Sequence, residues 1–468
     1  MHSPIFTQPS NALISKEQPA PTTKLKIFLI QTAMGLYSAS GGYKANCCFL
    51  AALSSQGHAC RSIVLCWKKD VLDAKVEYSE EKHSFGDKNN LISIYRFTWN
   101  NIEIVGLELE EYLKIFPKST LNHPLIDIEE RMMHWLKDKE CSPEYDAYQH
   151  FITDELMSFD ATHFIFNDSI SLKIASTLPG SIVRIFICHA CEHLPFGPYS
   201  GVPGFGSSTS PIERNRLKEI EGIWAVSHAI KSYIDTYGEG VLATFLPLHP
   251  AIYGKLPSKR YYNFDATYVL ITNPSSIKGY TIFKELAEKM SDVQFAAIKN
   301  WGVSEFQLKE MESTENITIF EAFKDMEELW PKIKVLIVPS LWYEAFGLVA
   351  VEATLRGIPV ICSDAGGLPE AKCGIIFGTI HVNITDGERE TDESIIEKMG
   401  IYKIPPQDID PWIQTLRYLI SNRDVYEKIS QECCEKAMAY IENIKPNIYE
   451  KWLIELRQSK SPILKSDS

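Results

Sequence analysis

Apolar runs of strand length recur along the chain, each separated from the next by a helical or turn-rich stretch. That alternation restricts the fold to the α/β class. In the first half the runs are Lys26–Ile30, Ser62–Cys66, Ile102–Val105, His163–Phe166, Val183–Cys188 and Ile223–Val226. The first leads into a small-residue loop ending Ser40-Gly41-Gly42, then a helical pattern from Tyr43 to Gln56 that Gly57 stops, then the second run. Strand, glycine loop, helix and strand make a βαβ unit, the opening of a parallel sheet. Between Trp67 and Tyr148 the pattern is irregular and gives no order of elements.

A second series follows Pro247-Leu248-His249-Pro250, with strands expected at Tyr268–Thr272, Gln294–Ala297, Ile317–Phe320, Lys334–Val338 and Pro359–Cys362. Amphipathic stretches such as Thr281–Met290 lie between them. A length of 468 residues suits two domains. The reading is therefore two doubly wound Rossmann-like domains, residues 24–250 and 260–440, joined near 248–260. A helix over 441–458 is expected to pack back on the first domain, and the tails 1–23 and 459–468 to be disordered. Doubly wound sheets bind ligands at the carboxyl ends of their strands, so two of them facing across a cleft make the default ligand site.

Composition narrows the partners. Net charge is −13, which argues against a nucleic-acid binder, since phosphate contacts need a basic face. No apolar run approaches the roughly 20 residues that span a bilayer. The start of the chain lacks the basic and apolar segments of a secretory signal. The 11 cysteines include the adjacent pairs Cys47-Cys48 and Cys433-Cys434, a poor disulfide framework; reduced thiols in a cytoplasmic enzyme are expected.

The chemistry concentrates between Val338 and Glu370. A buried strand ends at Pro339, a loop presents Glu344, and a helix begins near Gly347. Free N–H groups at a helix start favour a phosphate, with the helix dipole assisting. Glu344 and Glu352 are eight residues apart, roughly 12 Å if helical throughout. That spacing suits two ends of one extended ligand, hydroxyl-rich at both ends with a pyrophosphate between, because carboxylates accept hydrogen bonds from vicinal hydroxyls. Ordinary surface charge on an amphipathic helix is the plain alternative. The setting, between a strand ending Pro-Ser and the Gly366-Gly367 turn, argues against it.

This segment resembles the donor-binding motif of retaining GT-B glycosyltransferases, in particular the large family 4. The resemblance implies a transferase moving a hexose from a nucleoside diphosphate sugar to an acceptor with retention of configuration. A UDP-sugar is favoured as donor, with a GDP-sugar possible. The acceptor implied is a small molecule, with a glycan or protein open. Oligomeric state is undetermined. It implies that Glu344 contacts the donor sugar and Glu352 the ribose hydroxyls. Donor phosphate or sugar would meet Phe346 and the amides near Gly347, Leu348 and Val349. Lys278, followed by Gly279, would reach the diphosphate. Many members carry an arginine where this chain has Asn273, and a neutral amide does not supply that charge. Gly41-Gly42 would form a turn beside the donor phosphates, and His189 would lie near the reacting centre. No cofactor or catalytic metal is implied.

Cys188-His189-Ala190-Cys191 and His193 offer zinc-ligand types, but only one CxxC pair. Asp408 and Asp410 lie outside the expected site. Leu194–Gly206, rich in Gly, Pro and aromatics, reads as an acceptor-side lid. A sugar-nucleotide epimerase, a lapsed donor-binding protein and a glycan phosphorylase are the competing functions.

Overall fold

The computed structural model describes residues 24–38, 40–117, 126–201, 209–323 and 325–460. The segments 1–23 and 461–468, expected to be disordered, lie outside the described residues, as do 202–208 of the expected lid. Residues 459 and 460 finish the helix Asn447–Lys460.

The chain divides into two units. Among the described residues, one holds 24–226, 231–252 and 445–460. The other holds Ser227–Ile230 and Tyr253–Ile444.

The first unit is built on a nine-stranded sheet. Its strands are β1 (Lys26–Met34), β2 (Ala59–Cys66), β3 (Tyr78–Ser84), β4 (Leu91–Trp99), β5 (Ile102–Glu108), β6 (His163–Phe166), β7 (Val183–Cys188), β8 (Gly222–Ala225) and β9 (Thr244–Phe245). Their spatial order is β3-β4-β5-β2-β1-β6-β7-β8-β9. Every residue of β6 and β8 is buried, as expected for parallel strands covered on both faces.

The sheet is not parallel throughout. β3, β4 and β5 pair antiparallel at one edge, which orders the region the sequence left open and adds an antiparallel edge to the parallel sheet. Asn100 and Asn101 join β4 to β5 with φ of 52° and 59°. Two consecutive left-handed residues make the tight turn that matches strand twist, and asparagine tolerates that conformation best after glycine.

The C-terminal helix Asn447–Lys460 packs on this sheet. Trp224 of β8 lies 5.4 Å from the Tyr449 ring and 6.2 Å from the Trp452 ring. His163 Nε2 bonds the Leu453 carbonyl at 3.0 Å, and the Tyr449 hydroxyl donates to the Pro247 carbonyl at 2.9 Å.

The second unit carries a six-stranded sheet: β10 (Tyr268–Ile271), β11 (Gln294–Ile298), β12 (Ile317–Phe320), β13 (Ile333–Val338), β14 (Val360–Ser363) and β15 (Thr379–Ile380). All its pairings are parallel, in the order β12-β11-β10-β13-β14-β15. From β10 the chain builds outward to β11 and β12; from β13 it builds the other way. Right-handed crossovers therefore put the helices Tyr280–Lys289 and Leu348–Leu355 on opposite faces, and the direction reverses between β10 and β13. The crevice beyond the carboxyl ends of those two strands is where such a sheet takes a ligand.

No helix among the described residues is long and apolar enough to cross a membrane. All eleven cysteines are free thiols.

Candidate active site

Two loops meet at the β10/β13 switch point. After β10 the chain makes a short 3-10 turn, Ser276–Lys278, and enters the helix Tyr280–Lys289 through Gly279. Gly279 has φ +89°, and a Cβ there would stand 2.0 Å from the Pro339 carbonyl oxygen. No other residue passes so close to the end of β13. The two loops are also tied by the Leu341 amide, which donates to the Ile277 carbonyl at 2.9 Å.

The loop after β13 presents Glu344. It is held by the turn after β14, where the Gly367 amide donates to the Glu344 carbonyl at 2.7 Å. Gly366 has φ +56°, and its missing Cβ would lie 2.3 Å from that same carbonyl oxygen. The Gly-Gly turn thus shapes the loop that carries the carboxylate.

This geometry brings Lys278 and Glu344 together, with Nζ 2.5 Å from Oε1. Their side chains are 20% and 16% exposed. Lys278 Nζ also lies 5.8 Å from the ring centroid of Trp301, which follows β11 and is 52% exposed. Trp301 was not among the residues the sequence singled out. Its signal was an aromatic residue directly beyond an apolar run, beside a glycine.

The helix Leu348–Leu355 starts at Gly347 with no side-chain cap and no acidic residue in its first turn. The amides of Leu348 and Val349 therefore belong to the set that has no intrahelical acceptor. Glu352 is half-buried in the second turn of this helix. Glu344 precedes the helix, so the eight-residue spacing is not helical throughout and the 12 Å span does not apply. The Phe346 side chain is buried against Tyr440, with ring centroids 6.5 Å apart. Asn273 Oδ1 and Ser275 Oγ, both on the loop that carries Lys278, are enclosed without hydrogen-bond partners.

The first unit holds the remaining sequence-derived residues. Gly41 and Gly42 do not form a turn; they are the first two residues of the helix Gly41–Ser55, and neither has positive φ. The reason for small side chains is space, at least at Gly42, where a Cβ would sit 3.1 Å from His189 Cγ. His189 follows β7, and its Nε2 lies 2.8 Å from Asn46 Oδ1. With the amide oxygen facing it, Nε2 carries the ring proton and Nδ1 is the unprotonated nitrogen. Burial, with His193 nearby, pushes the imidazole down to about 3, so His189 is neutral across the ordinary pH range. Asn46, the partner that sets this tautomer, has no distinguishing pattern in sequence.

Burial pushes the Cys188 and Cys191 thiols upward, away from the thiolate that would bind zinc. Among the described residues no three His, Cys, Asp or Glu are grouped to hold a metal. The described part of the loop after His189 is anchored. Leu194, Phe196 and Tyr199 are buried, and the Tyr233 hydroxyl accepts from the Tyr199 amide and donates to the Phe196 carbonyl, both at 3.2 Å. Those aromatic residues are core rather than the lining of a lid.

Residues 277–422 match the family model for glycosyl transferases group 1. A stretch of 115 residues is 35% identical to an uncharacterized 41.2 kDa protein of the cps region in Klebsiella pneumoniae, covering 24% of this chain and 31% of that one. The chain thus spans about a third of the length of that curated relative. Among solved structures, the catalytic domain of starch synthase IV from Arabidopsis thaliana, bound to ADP and acarbose, superposes with a TM-score of 0.61 at 12% identity, over 93% of this chain and 100% of that one. Anabaena Alr3699/HepE, in complex with UDP and glucose, gives 0.53 at 13% identity, over 92% and 99%. At such identities the likeness shows the fold, GT-B.

Proposed function

We propose that this chain, a member of the glycosyl transferases group 1 by its residues 277–422 and of GT-B fold, transfers a sugar from a nucleoside diphosphate donor to an acceptor hydroxyl or other nucleophile. The observation that carries the proposal is the Lys278–Glu344 pair at the β10/β13 switch point, beside the uncapped start of the helix Leu348–Leu355. A cation and two free amides suit a diphosphate, and carboxylates suit the hydroxyls at either end. In this reading Glu344 meets the donor sugar and Glu352 the ribose. The starch synthase structure holds ADP and the Anabaena structure UDP, so the likeness supports a nucleoside diphosphate without choosing the base. A UDP-sugar heads the panel of donors to try.

In the reaction, the bond from the anomeric carbon to the β-phosphate oxygen breaks and a bond to the acceptor oxygen forms. The acceptor proton passes to the departing phosphate, on the same face, so configuration is retained. Lys278 and the helix amides stabilise the charge that develops on the leaving group. This uses no metal. His189, neutral and held by Asn46 within the first unit, is the proposed catalytic histidine, and the first unit takes the acceptor.

Asn273 supports one second reading, a donor-binding protein without turnover. Position 273 is a neutral amide, and Lys278 is already paired with Glu344. The experiment on the donor side is Glu352→Ala with calorimetric titration of UDP, ADP and GDP. Loss of ribose hydrogen bonds should weaken the best-bound nucleotide by roughly 1.5–3 kcal/mol. Unchanged affinity in the folded variant removes Glu352 from the site.

A further inference from the structure

Three side chains stand in a row across the carboxyl edge of the second sheet. Trp301 follows β11, Lys278 follows β10 and Glu344 follows β13, and those strands are neighbours in that order. Lys278 is the middle member, 5.8 Å from the Trp301 ring centroid and 2.5 Å from the Glu344 carboxylate. A nucleoside diphosphate sugar has the same order of parts: a flat aromatic base, a diphosphate and a hydroxyl-bearing ring. Glu344 is the hydrogen-bond acceptor of the three and suits the hydroxyls; Lys278 suits the diphosphate. The remaining member is an indole, and 52% of Trp301 is exposed although the residue is large and apolar.

We infer that Trp301 is the stacking platform for the nucleobase of the donor. The inference rests on the donor reading given above and adds the subsite that reading lacks. An indole face takes any base by stacking, without reading its hydrogen-bond edge. Lys278 Nζ lies over the electron-rich face of this ring, a contact that a stacked base would replace as the lysine turns to the phosphates.

The test is calorimetric titration of the full chain and of Trp301→Ala and Trp301→Phe with UDP, ADP and GDP, with the matching nucleotide sugar, and with inorganic pyrophosphate. Trp301→Ala should raise the dissociation constant of the best nucleoside diphosphate about 10- to 100-fold, with the same factor for its sugar conjugate. Pyrophosphate should bind as before, and Trp301→Phe should restore most of the loss. An unchanged nucleotide affinity in Trp301→Ala overturns the inference. So does a loss shared equally by pyrophosphate, which would make Trp301 a support for Lys278, and so does a loss confined to the nucleotide sugar, which would put the sugar on the indole. If the unaltered chain binds no nucleoside diphosphate, the donor reading itself fails, an outcome distinct from these three.

Discussion

Lys278 Nζ and Glu344 Oε1 are 2.5 Å apart, and each side chain is no more than one-fifth exposed. The pair spans the two loops that leave β10 and β13, and it leaves the free site without net charge from these two groups. A diphosphate that binds here has to draw the lysine away from its carboxylate, so the two residues answer differently to mutation. On the proposed donor reading, Lys278→Ala should cost a charged hydrogen bond to the diphosphate of roughly 1.5–3 kcal/mol, and kcat/KM should fall roughly 10- to 150-fold. Glu344→Gln frees the lysine. Binding of the nucleoside diphosphate alone should hold or tighten, while turnover of the nucleotide sugar falls. Steady-state kinetics with product-inhibition constants separate the two; weaker nucleotide binding in Glu344→Gln would reduce Glu344 to a support for Lys278.

Three histidines set an acid limit on the fold. Burial lowers His189 to about 3 and His163 and His249 to about 4. The ordinary value is 6.5, so as pH falls the unfolded chain takes up these protons first. Their contribution to stability is complete above about 6.5 and drains away as pH falls toward 4. Urea midpoints should therefore decline between pH 7 and 5, and the Asn447–Lys460 helix, bonded through His163 to the Leu453 carbonyl, should lose amide protection early. A midpoint that holds steady over that range would contradict the assignment. For the same reason the pH–rate profile should show no limb from His189 between about 5 and 8.

Glu213 works in the opposite direction. It is fully buried on the helix Pro211–Glu219, with both carboxylate oxygens enclosed. Burial raises its pKa against the opposing pull of the Ser169 hydroxyl and Arg216. A raised carboxyl gives stability that is complete below its ordinary value of 4.5 and lost as pH rises through the folded value. Glu213→Gln keeps the shape without the charge. It should stabilise the chain at pH 8 by about 1–3 kcal/mol, with the gain shrinking toward pH 4.5. Thermal denaturation at the two pH values measures this, and a destabilised variant at pH 8 would show that the charge is satisfied.

The strands that could be read from sequence are those buried on both faces. His163–Phe166 and Val183–Cys188 have the bounds their apolar runs suggested, because a parallel central strand has no polar face to interrupt the run. β3, Tyr-Ser-Glu-Glu-Lys-His-Ser, is mostly exposed at the sheet edge and carries no apolar period, so nothing in its composition marked it as a strand. Gly41-Gly42, where the family resemblance implies a turn, opens a helix instead. Its need is for room beneath His189, a contact between residues far apart in sequence. The site divides in the same way. Lys278, Glu344 and the Gly366-Gly367 turn were legible because they lie at fixed spacings next to strands. Asn46 and Trp301 owe their places to tertiary neighbours, which spacing does not encode.

The central claim is that a sugar leaves its nucleotide only to reach an acceptor. The most direct measurement is incubation of the full chain with a panel of UDP-, GDP- and ADP-sugars, with and without pooled candidate acceptors, following nucleoside diphosphate release and glycosylated product by mass spectrometry, with a chelator present throughout. The account predicts acceptor-dependent release with one nucleotide class, an equal mass gain on an acceptor, and no effect of the chelator. Saturable nucleotide binding with no release under any acceptor, or conversion of the donor into an isomer without an acceptor, would contradict it.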